Sequence, residues 1–211
     1  MHAIFSTILF LASLTVIEES IPDGPFCYPG KCPREIITVD SEESPLLDAH
    51  FKKLVQLMQQ DQSEQEKLAH VKLFVRETIF TPSLCNFEKL LSFFQTLDIE
   101  TFEPEIPLEK FIAAKTGVCR HLALTTTFLL DRLIKEGHFK GSCYLIRDQV
   151  HLDRHAWTLF LSDKEAWHID AHWNILEDGK SEEGFSRLSR IYGKRTMVRQ
   201  KERWSNTIYQ N

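Results

Sequence analysis

The apolar residues of this chain change their spacing once, near Gly137, and this change limits what the chain can fold into. Up to Glu136 they recur every three or four residues, as on the buried face of a helix. The pattern predicts helices at about 45–60, 63–79, 86–94, 108–115 and 119–136. Ser63 and Glu66 have the spacing of a capping box, and Gly137 suits a left-handed cap that ends the last helix.

Beyond Gly137 the chain carries short runs of aromatic and branched residues that loops separate. The runs 142–147, 156–161 and 166–173 predict antiparallel strands of one sheet. Helices followed by strands predict an α+β fold. With 211 residues, the chain is long enough for one domain with a sizeable core and too short for two full domains.

The first 44 residues differ from the rest. Residues 21–44 are rich in proline, glycine and acidic residues, so we predict an N-terminal extension over 1–44 and a folded domain over 45–211. Residues 3–17 are apolar apart from Ser and Thr, which fits a signal-peptide core or a segment that packs on the core or on a partner. They are too few for a transmembrane helix, and we expect no stable membrane span. No Lys or Arg precedes the run and two glutamates close it, which favours a cytoplasmic protein over an exported one.

The cysteines leave the redox state open. Five cysteines are an odd number, so at least one thiol stays free or pairs between chains in an oxidised protein. Cys27 and Cys32 would close a small loop in an exported protein, whereas both would remain thiols in a reducing compartment.

The distribution of charge bears on partners. The formal charge of −5 argues against general nucleic-acid binding. Residues 1–110 hold nine Lys and Arg against eighteen Asp and Glu, while residues 111–211 hold sixteen against twelve. Seven of these basic residues fall between Arg187 and Arg203, with Glu202 as the one acid among them. This basic segment predicts either a solvated face or a surface that binds an acidic partner.

Three residues in the second half have the chemistry of a nucleophilic site. Cys119 falls in the first turn of a predicted helix, where free backbone N–H groups and the helix dipole stabilise a thiolate. A nucleophilic thiol needs a base, and the base needs an acceptor on its other ring nitrogen. His155 and Asp170 lie on neighbouring predicted strands, so a hairpin can bring them together. In the third strand His168, Asp170 and His172 share one face, which implies that Asp170 points into a cleft.

These residues stand in motifs that resemble the transglutaminase-like superfamily. The motifs are GVCRHLA at 117–123, HAW at 155–157 and W-x-x-D at 167–170, with intervals of 36 and 15 residues between Cys119, His155 and Asp170. The segments 67–79 and 108–119 are similar to the helices that precede the family's nucleophile, so the resemblance covers about 65–178. It implies a papain-like core in which the helix that carries the nucleophile packs on an antiparallel sheet.

The resemblance also implies roles for the site residues. Cys119 is expected to be the nucleophile, His155 the general base and acid, and Asp170 the residue that orients His155. Four neighbours are candidates for substrate contacts: Arg120, His121, Trp157 and His172. For Arg120 and His121, a structural role between helix and sheet is the alternative, and Trp157 is also a candidate for the core. The backbone N–H of Cys119 is one candidate oxyanion donor, and the second is unidentified.

The expected activity is acyl transfer at an amide bond. A thioester on Cys119 serves peptide hydrolysis, glutamine deamidation and transamidation alike, and the substrate is expected to be a protein or peptide. No cofactor and no metal are implied. No Trp precedes Trp157, whereas members that transamidate glutamine often use an upstream Trp or Gln. The chain has no Cys-x-x-Cys pair and no Gly-rich approach to Cys119, so neither the glycanase nor the arylamine acetyltransferase branch of the family is favoured.

Two other readings of the same residues remain open. A transglutaminase-like core can serve as a non-catalytic binding or scaffolding domain. A metal-dependent hydrolase would instead assemble His168, Asp170 and His172, with His151 nearby, into a set of two histidines and one carboxylate.

Overall fold

Helices dominate the first half of the chain and strands follow, which confirms the predicted α+β class. The computed structural model describes residues 17–18, 24–26, 36–39, 44–58, 61–97, 105–151 and 153–208. The signal-like run, apart from Ile17, and the pair Cys27 and Cys32 lie outside these residues.

The described residues include seven helices. Five precede the main sheet: α1 (Pro45–Leu57), α2 (Glu64–Leu73), α3 (Phe87–Thr96), α4 (Leu108–Ala113) and α5 (Cys119–Lys135). The predicted capping box begins α2, since the Ser63 hydroxyl accepts from the Glu66 N–H and the Glu66 carboxylate accepts from the Ser63 N–H. Helix α2 continues as a π-helical stretch over Phe74–Ile79. None of the described helices is both long and apolar enough to cross a bilayer.

Four antiparallel strands follow α5 and lie side by side in chain order. They are β5 (Ser142–Val150), β6 (Asp153–Leu161), β7 (Ala166–Asp170) and β8 (Ile175–Asp178). The first three correspond to the predicted strands. The strand β1 (Ile17–Glu18) pairs with the outer edge of β5. Strand β7 ends at Asp170 and not at Trp173, because a turn occupies residues 171–174.

A small second sheet connects the N-terminal segment to the core. It consists of β2 (Gly24–Phe26), β3 (Ile36–Val39) and β4 (Glu105–Pro107), with β3 in the middle. Ile37 and Val39 are fully buried in the main hydrophobic core. The folded core therefore begins before the predicted boundary at residue 45.

The main sheet is covered on both faces. Helix α5 packs on one face, where the Thr127 hydroxyl lies 2.8 Å from the Thr158 hydroxyl of β6. The other face is covered by α6 (Glu182–Tyr192) and α7 (Lys194–Ile208), two helices that the sequence analysis did not predict. Gly193 joins them at a φ of +90°, a conformation that favours glycine. A second core, which includes Trp157 and Tyr192, fills the space between these helices and the sheet.

Part of the basic C-terminal segment is paired within the chain. The Asp148 carboxylate accepts from Arg199 Nη2 at 2.8 Å and from Gln200 Nε2 at 2.9 Å, which ties α7 to β5. On α6, Arg187 pairs with Glu177 at 3.2 Å and with Glu183. These cations therefore have partners in the fold itself.

Candidate functional site

The first turn of α5 depends on Gly117 and His121, which lie on either side of Cys119 in the sequence. The backbone N–H of Val118 donates to His121 Nδ1 at 3.1 Å. The ring of His121, which belongs to the helix itself, therefore caps the N-terminus of α5. A Cβ on Gly117 would lie 2.8 Å from His121 Cβ, a distance that real Cβ atoms do not show. Glycine is therefore needed at position 117, two residues before the helix begins at Cys119.

The structure brings Cys119, His155 and Asp170 together. Thr158 pairs with Ile169 across β6 and β7, so Asp170 lies opposite Trp157 and diagonal to His155 on one face. His155 Nε2–H donates to Asp170 Oδ2 at 2.6 Å. The His155 ring also hydrogen-bonds the Cys119 thiol. Because Nε2 is used by Asp170, Nδ1 is the nitrogen available for this second bond. The imidazole thus lies between a thiol and a carboxylate.

This arrangement favours an ion pair. Burial alone would raise the pKa of the Cys119 thiol, but the hydrogen bond and charge of His155, together with the Ala156 N–H, bring it below its usual value. Burial likewise opposes the charged form of His155, yet Asp170 and Cys119 raise the pKa of His155 to about 9. Both shifts favour a thiolate at Cys119 beside an imidazolium at His155.

The Asp170 carboxylate is buried and saturated with donors. Its side chain is 1% exposed. Oδ2 accepts from His155 and from the Tyr192 hydroxyl at 3.0 Å, while Oδ1 accepts from the backbone N–H groups of His172 at 3.0 Å and Trp173 at 2.9 Å. Four donors compensate the burial of the charge and fix the plane of the carboxylate.

Two basic side chains from the first half of the chain bind the carbonyls of the turn that follows β7. Arg76 Nη1 donates to the carbonyls of Ala171 at 2.9 Å and His172 at 2.6 Å, and Lys72 Nζ donates to the carbonyl of Asn174 at 3.3 Å. Arg76 belongs to the π-helical stretch, and such irregular turns often occur at functional sites. Through this turn, Arg76 fixes the two N–H groups that bind Asp170.

Aromatic rings enclose the His155 imidazole. The Trp173 indole stacks on it with ring centroids 3.7 Å apart and an interplanar angle of 10°. Trp173 is itself 42% exposed, so its outer face meets solvent. Beneath the imidazole, Tyr192 stacks on Trp157 with centroids 4.7 Å apart. The stack keeps water away from the hydrogen bond between His155 and Asp170.

The four predicted substrate-contact residues divide into two pairs. Arg120 and His172 are partly exposed beside the site, and the centroid of the His172 ring is 6.1 Å from that of His155. His121 and Trp157 are fully buried. Their burial argues against the predicted contacts with substrate: His121 caps α5 and packs on Phe111, and Trp157 belongs to the second core.

The predicted face of the third strand needs a correction. His168 and Asp170 share a face as predicted, but β7 has ended before His172 and Trp173, which lie in the turn. The shared face is covered by α6, so at this face Asp170 meets Tyr192 instead of an open cleft.

The predicted metal set does not assemble among the described residues. No group of three or more potential ligands there could hold a metal ion. His151 Nε2–H donates to the carbonyl of Ile191 at 2.9 Å, and His168 packs against Trp204 in the second core.

His168 makes stability depend on pH. It is fully buried, and neither ring nitrogen has a hydrogen-bond partner among the described residues. Burial lowers the pKa of His168 from 6.5 to about 3. Below a pH of about 6.5 the unfolded chain binds a proton at His168 that the folded protein does not bind. The free energy of unfolding therefore falls as the pH falls from about 6.5 towards 3. From this residue we expect a loss of about 2 kcal/mol in the free energy of unfolding between pH 7 and pH 5.

Two substitutions that cannot titrate test this expectation. His168→Phe and His168→Gln differ in polarity, and in both the unfolding free energy is expected to fall less between pH 7 and pH 5 than in the wild type. Urea denaturation at the two pH values measures the difference. A wild-type dependence on pH in both variants would contradict the assignment.

Sequence reasoning missed Tyr192 and Arg76 as parts of the site. The spacing of Phe185, Leu188 and Tyr192 is helical and was a usable signal for α6. No sequence signal predicts that Arg76 donates hydrogen bonds to this turn, because the acceptors are backbone carbonyls 95 and 96 residues away.

Comparisons with known proteins returned no match: no family model, no curated protein and no solved structure matches this chain.

Proposed function

We propose that this chain is a transglutaminase-like cysteine enzyme that transfers an acyl group at an amide bond. The observation that carries the proposal is the position of His155 between the Cys119 thiol and the Asp170 carboxylate. The fold supports it, since a helix that begins at Cys119 packs on an antiparallel sheet whose adjacent strands carry the other two residues. This is the arrangement that the papain-like resemblance implies.

The chemistry proceeds in two steps. The Cys119 thiolate attacks the amide carbonyl, and the backbone N–H of Cys119 is the candidate donor to the oxygen that becomes negative. The His155 imidazolium gives the proton on Nδ1 to the leaving nitrogen, so the amine departs neutral and a thioester remains. Water or an amine then attacks the thioester while His155 takes its proton, and the thiolate is restored. Asp170 remains ionised throughout and holds the ring.

Hydrolysis of a peptide or side-chain amide is the reaction that we favour. Deamidation and transamidation use the same three residues, but transamidation also needs a second site for an amine. A scaffolding domain is the alternative, and a sealed site would favour it. Cys119 is partly exposed as a residue while its thiol is largely buried, so labelling of the thiol decides between the two alternatives.

The partner of the basic segment remains a prediction. Arg187 and Arg199 are paired within the fold, while Lys194 and Arg195 are exposed at the start of α7. An acidic partner would therefore bind near these two residues, and its affinity should weaken as salt is raised.

The reactivity of Cys119 tests the proposed ion pair. We expect iodoacetamide to modify Cys119 rapidly at pH 6–7, because the pKa of its thiol lies below the usual value. Burial raises the pKa of Cys85 to about 11 and also raises that of Cys143, so both should react slowly in the folded protein. Peptide mapping by mass spectrometry after short exposures gives each rate separately.

The matched control is His155→Gln, which removes the imidazolium and leaves Cys119 at the helix start. Its Cys119 should react slowly at pH 6–7 and recover only at alkaline pH. Equal rates for Cys119, Cys85 and Cys143 in the wild type would favour the scaffolding alternative.

A further inference from the structure

The Tyr192 hydroxyl contacts the Asp170 carboxylate. Tyr192 is the last residue of α6 and is fully buried. Its hydroxyl donates to Asp170 Oδ2 at 3.0 Å, and this is the same oxygen that accepts from His155 Nε2. Two donors therefore share one carboxylate oxygen.

The hydroxyl does more than fill space. The ring of Tyr192 already packs on Trp157 and lies 5.7 Å from Trp173, contacts that a phenylalanine ring would also make. A buried hydroxyl costs free energy unless it is hydrogen-bonded, and here its partner is a charged carboxylate, which makes the bond strong. Among the described residues, the hydroxyl oxygen of Tyr192 therefore has Asp170 as its hydrogen-bond partner.

A second donor on Oδ2 has two consequences for the imidazole. It holds the oxygen in the position from which His155 is oriented. It also draws charge from the carboxylate, which makes Oδ2 a weaker acceptor for the His155 N–H than it would be with one donor fewer.

We propose that Tyr192 is a positioning residue, whose hydroxyl fixes the Asp170 oxygen that His155 uses and limits how strongly that oxygen holds the ring. The inference rests on the proposed function for its catalytic meaning. It assigns α6, which lies outside the three motifs, a direct part in the site.

Tyr192→Phe isolates the hydroxyl, because the ring and its stacking remain. We expect the titration midpoint of His155 to rise by about half a pH unit in this variant, since Asp170 loses a donor that competes with His155. The midpoint is read by NMR on protein labelled with ¹⁵N-histidine. The His155 signals are those absent from the spectrum of His155→Gln.

Tyr144→Phe is the control, since Tyr144 is another buried tyrosine of the second core. It should leave the His155 midpoint unchanged, whatever it does to thermal stability. If Tyr192→Phe does not fold, incorporation of fluorotyrosine gives the complementary test. A more acidic hydroxyl is a stronger donor, so the His155 midpoint should then fall.

The outcomes separate the two proposals. A midpoint in Tyr192→Phe equal to or below that of the wild type overturns the role of Tyr192, and so does an unchanged or raised midpoint with fluorotyrosine. Because the titration needs no substrate, it can be read even if the protein cleaves no amide. The proposed function fails separately, if Cys119 reacts with iodoacetamide no faster than Cys85.

Discussion

Replacing Cys119 with alanine is expected to lower amide turnover by about 10⁴-fold or more, to a level set by binding alone. Without the sulfur no thioester forms, and His155 loses the group that it activates. The measurement is release of the amine product from peptide substrates at pH 7, before and after the substitution. Cys119→Ser is expected to be nearly as inactive, because a serine hydroxyl remains protonated where the thiol is ionised.

Cys143→Ala is the matched control for this prediction. Cys143 is buried in the main core, where its thiol donates to the carbonyl of Thr127. Its substitution should reduce stability and leave turnover per folded molecule unchanged. Turnover in Cys119→Ala above a tenth of the wild-type value would rule out a covalent mechanism through this residue.

Asp170→Asn is expected to lower turnover by about 10³- to 10⁴-fold while the fold survives. The amide can still accept from the N–H groups of His172 and Trp173, but its NH₂ group then faces His155 Nε2. That nitrogen must become the acceptor, which moves the ring proton to Nδ1, the position next to Cys119. The imidazole can then no longer take a proton from the thiol. The pKa of Cys119 should return toward its ordinary value, so iodoacetamide labelling at pH 6–7 should slow with turnover.

Asp178→Asn provides the comparison on the neighbouring strand. The Asp178 carboxylate also accepts from backbone N–H groups, those of Ala166 at 2.8 Å and Lys180 at 3.0 Å, but it contacts no residue of the site. The two variants should lose comparable stability, and only Asp170→Asn should lose activity. Wild-type labelling kinetics in Asp170→Asn would mean that Asp170 does not set the state of His155.

The sequence could place His155 and Asp170 together because their proximity is a local matter, whereas Cys119 was joined to them by its chemistry at a helix start and by the family resemblance. A hairpin brings β6 and β7 together, and alternation along the strands places His155 and Asp170 on one face. The start of α5 is marked by Gly117, and its end by Gly137. Each of these features depends on residues close together in the chain, so periodicity and cap signals report them.

The contacts that hold these three residues in place could not be predicted from local sequence patterns. Tyr192 and Arg76 reach Asp170 and its turn across long stretches of chain, and no local pattern encodes which residue on a helix will meet which carboxylate. The sequence left Trp157 between the core and a substrate contact for a related reason. The sheet has a second covered face because α6 and α7 fold over it, and short motifs alone do not reveal which face of a strand another helix will cover.

The attachment of Asp170 to Tyr192 also bears on synthesis by the ribosome. A nascent chain presents Cys119, His155 and Asp170 before α6 has been made, and a domain generally folds as a unit. During that interval the carboxylate lacks a donor and one face of the sheet lacks its cover. If Cys119 is the proposed nucleophile, we expect it to gain its full reactivity only after translation has passed the C-terminal helices, a delay that would protect neighbouring polypeptides from premature reaction.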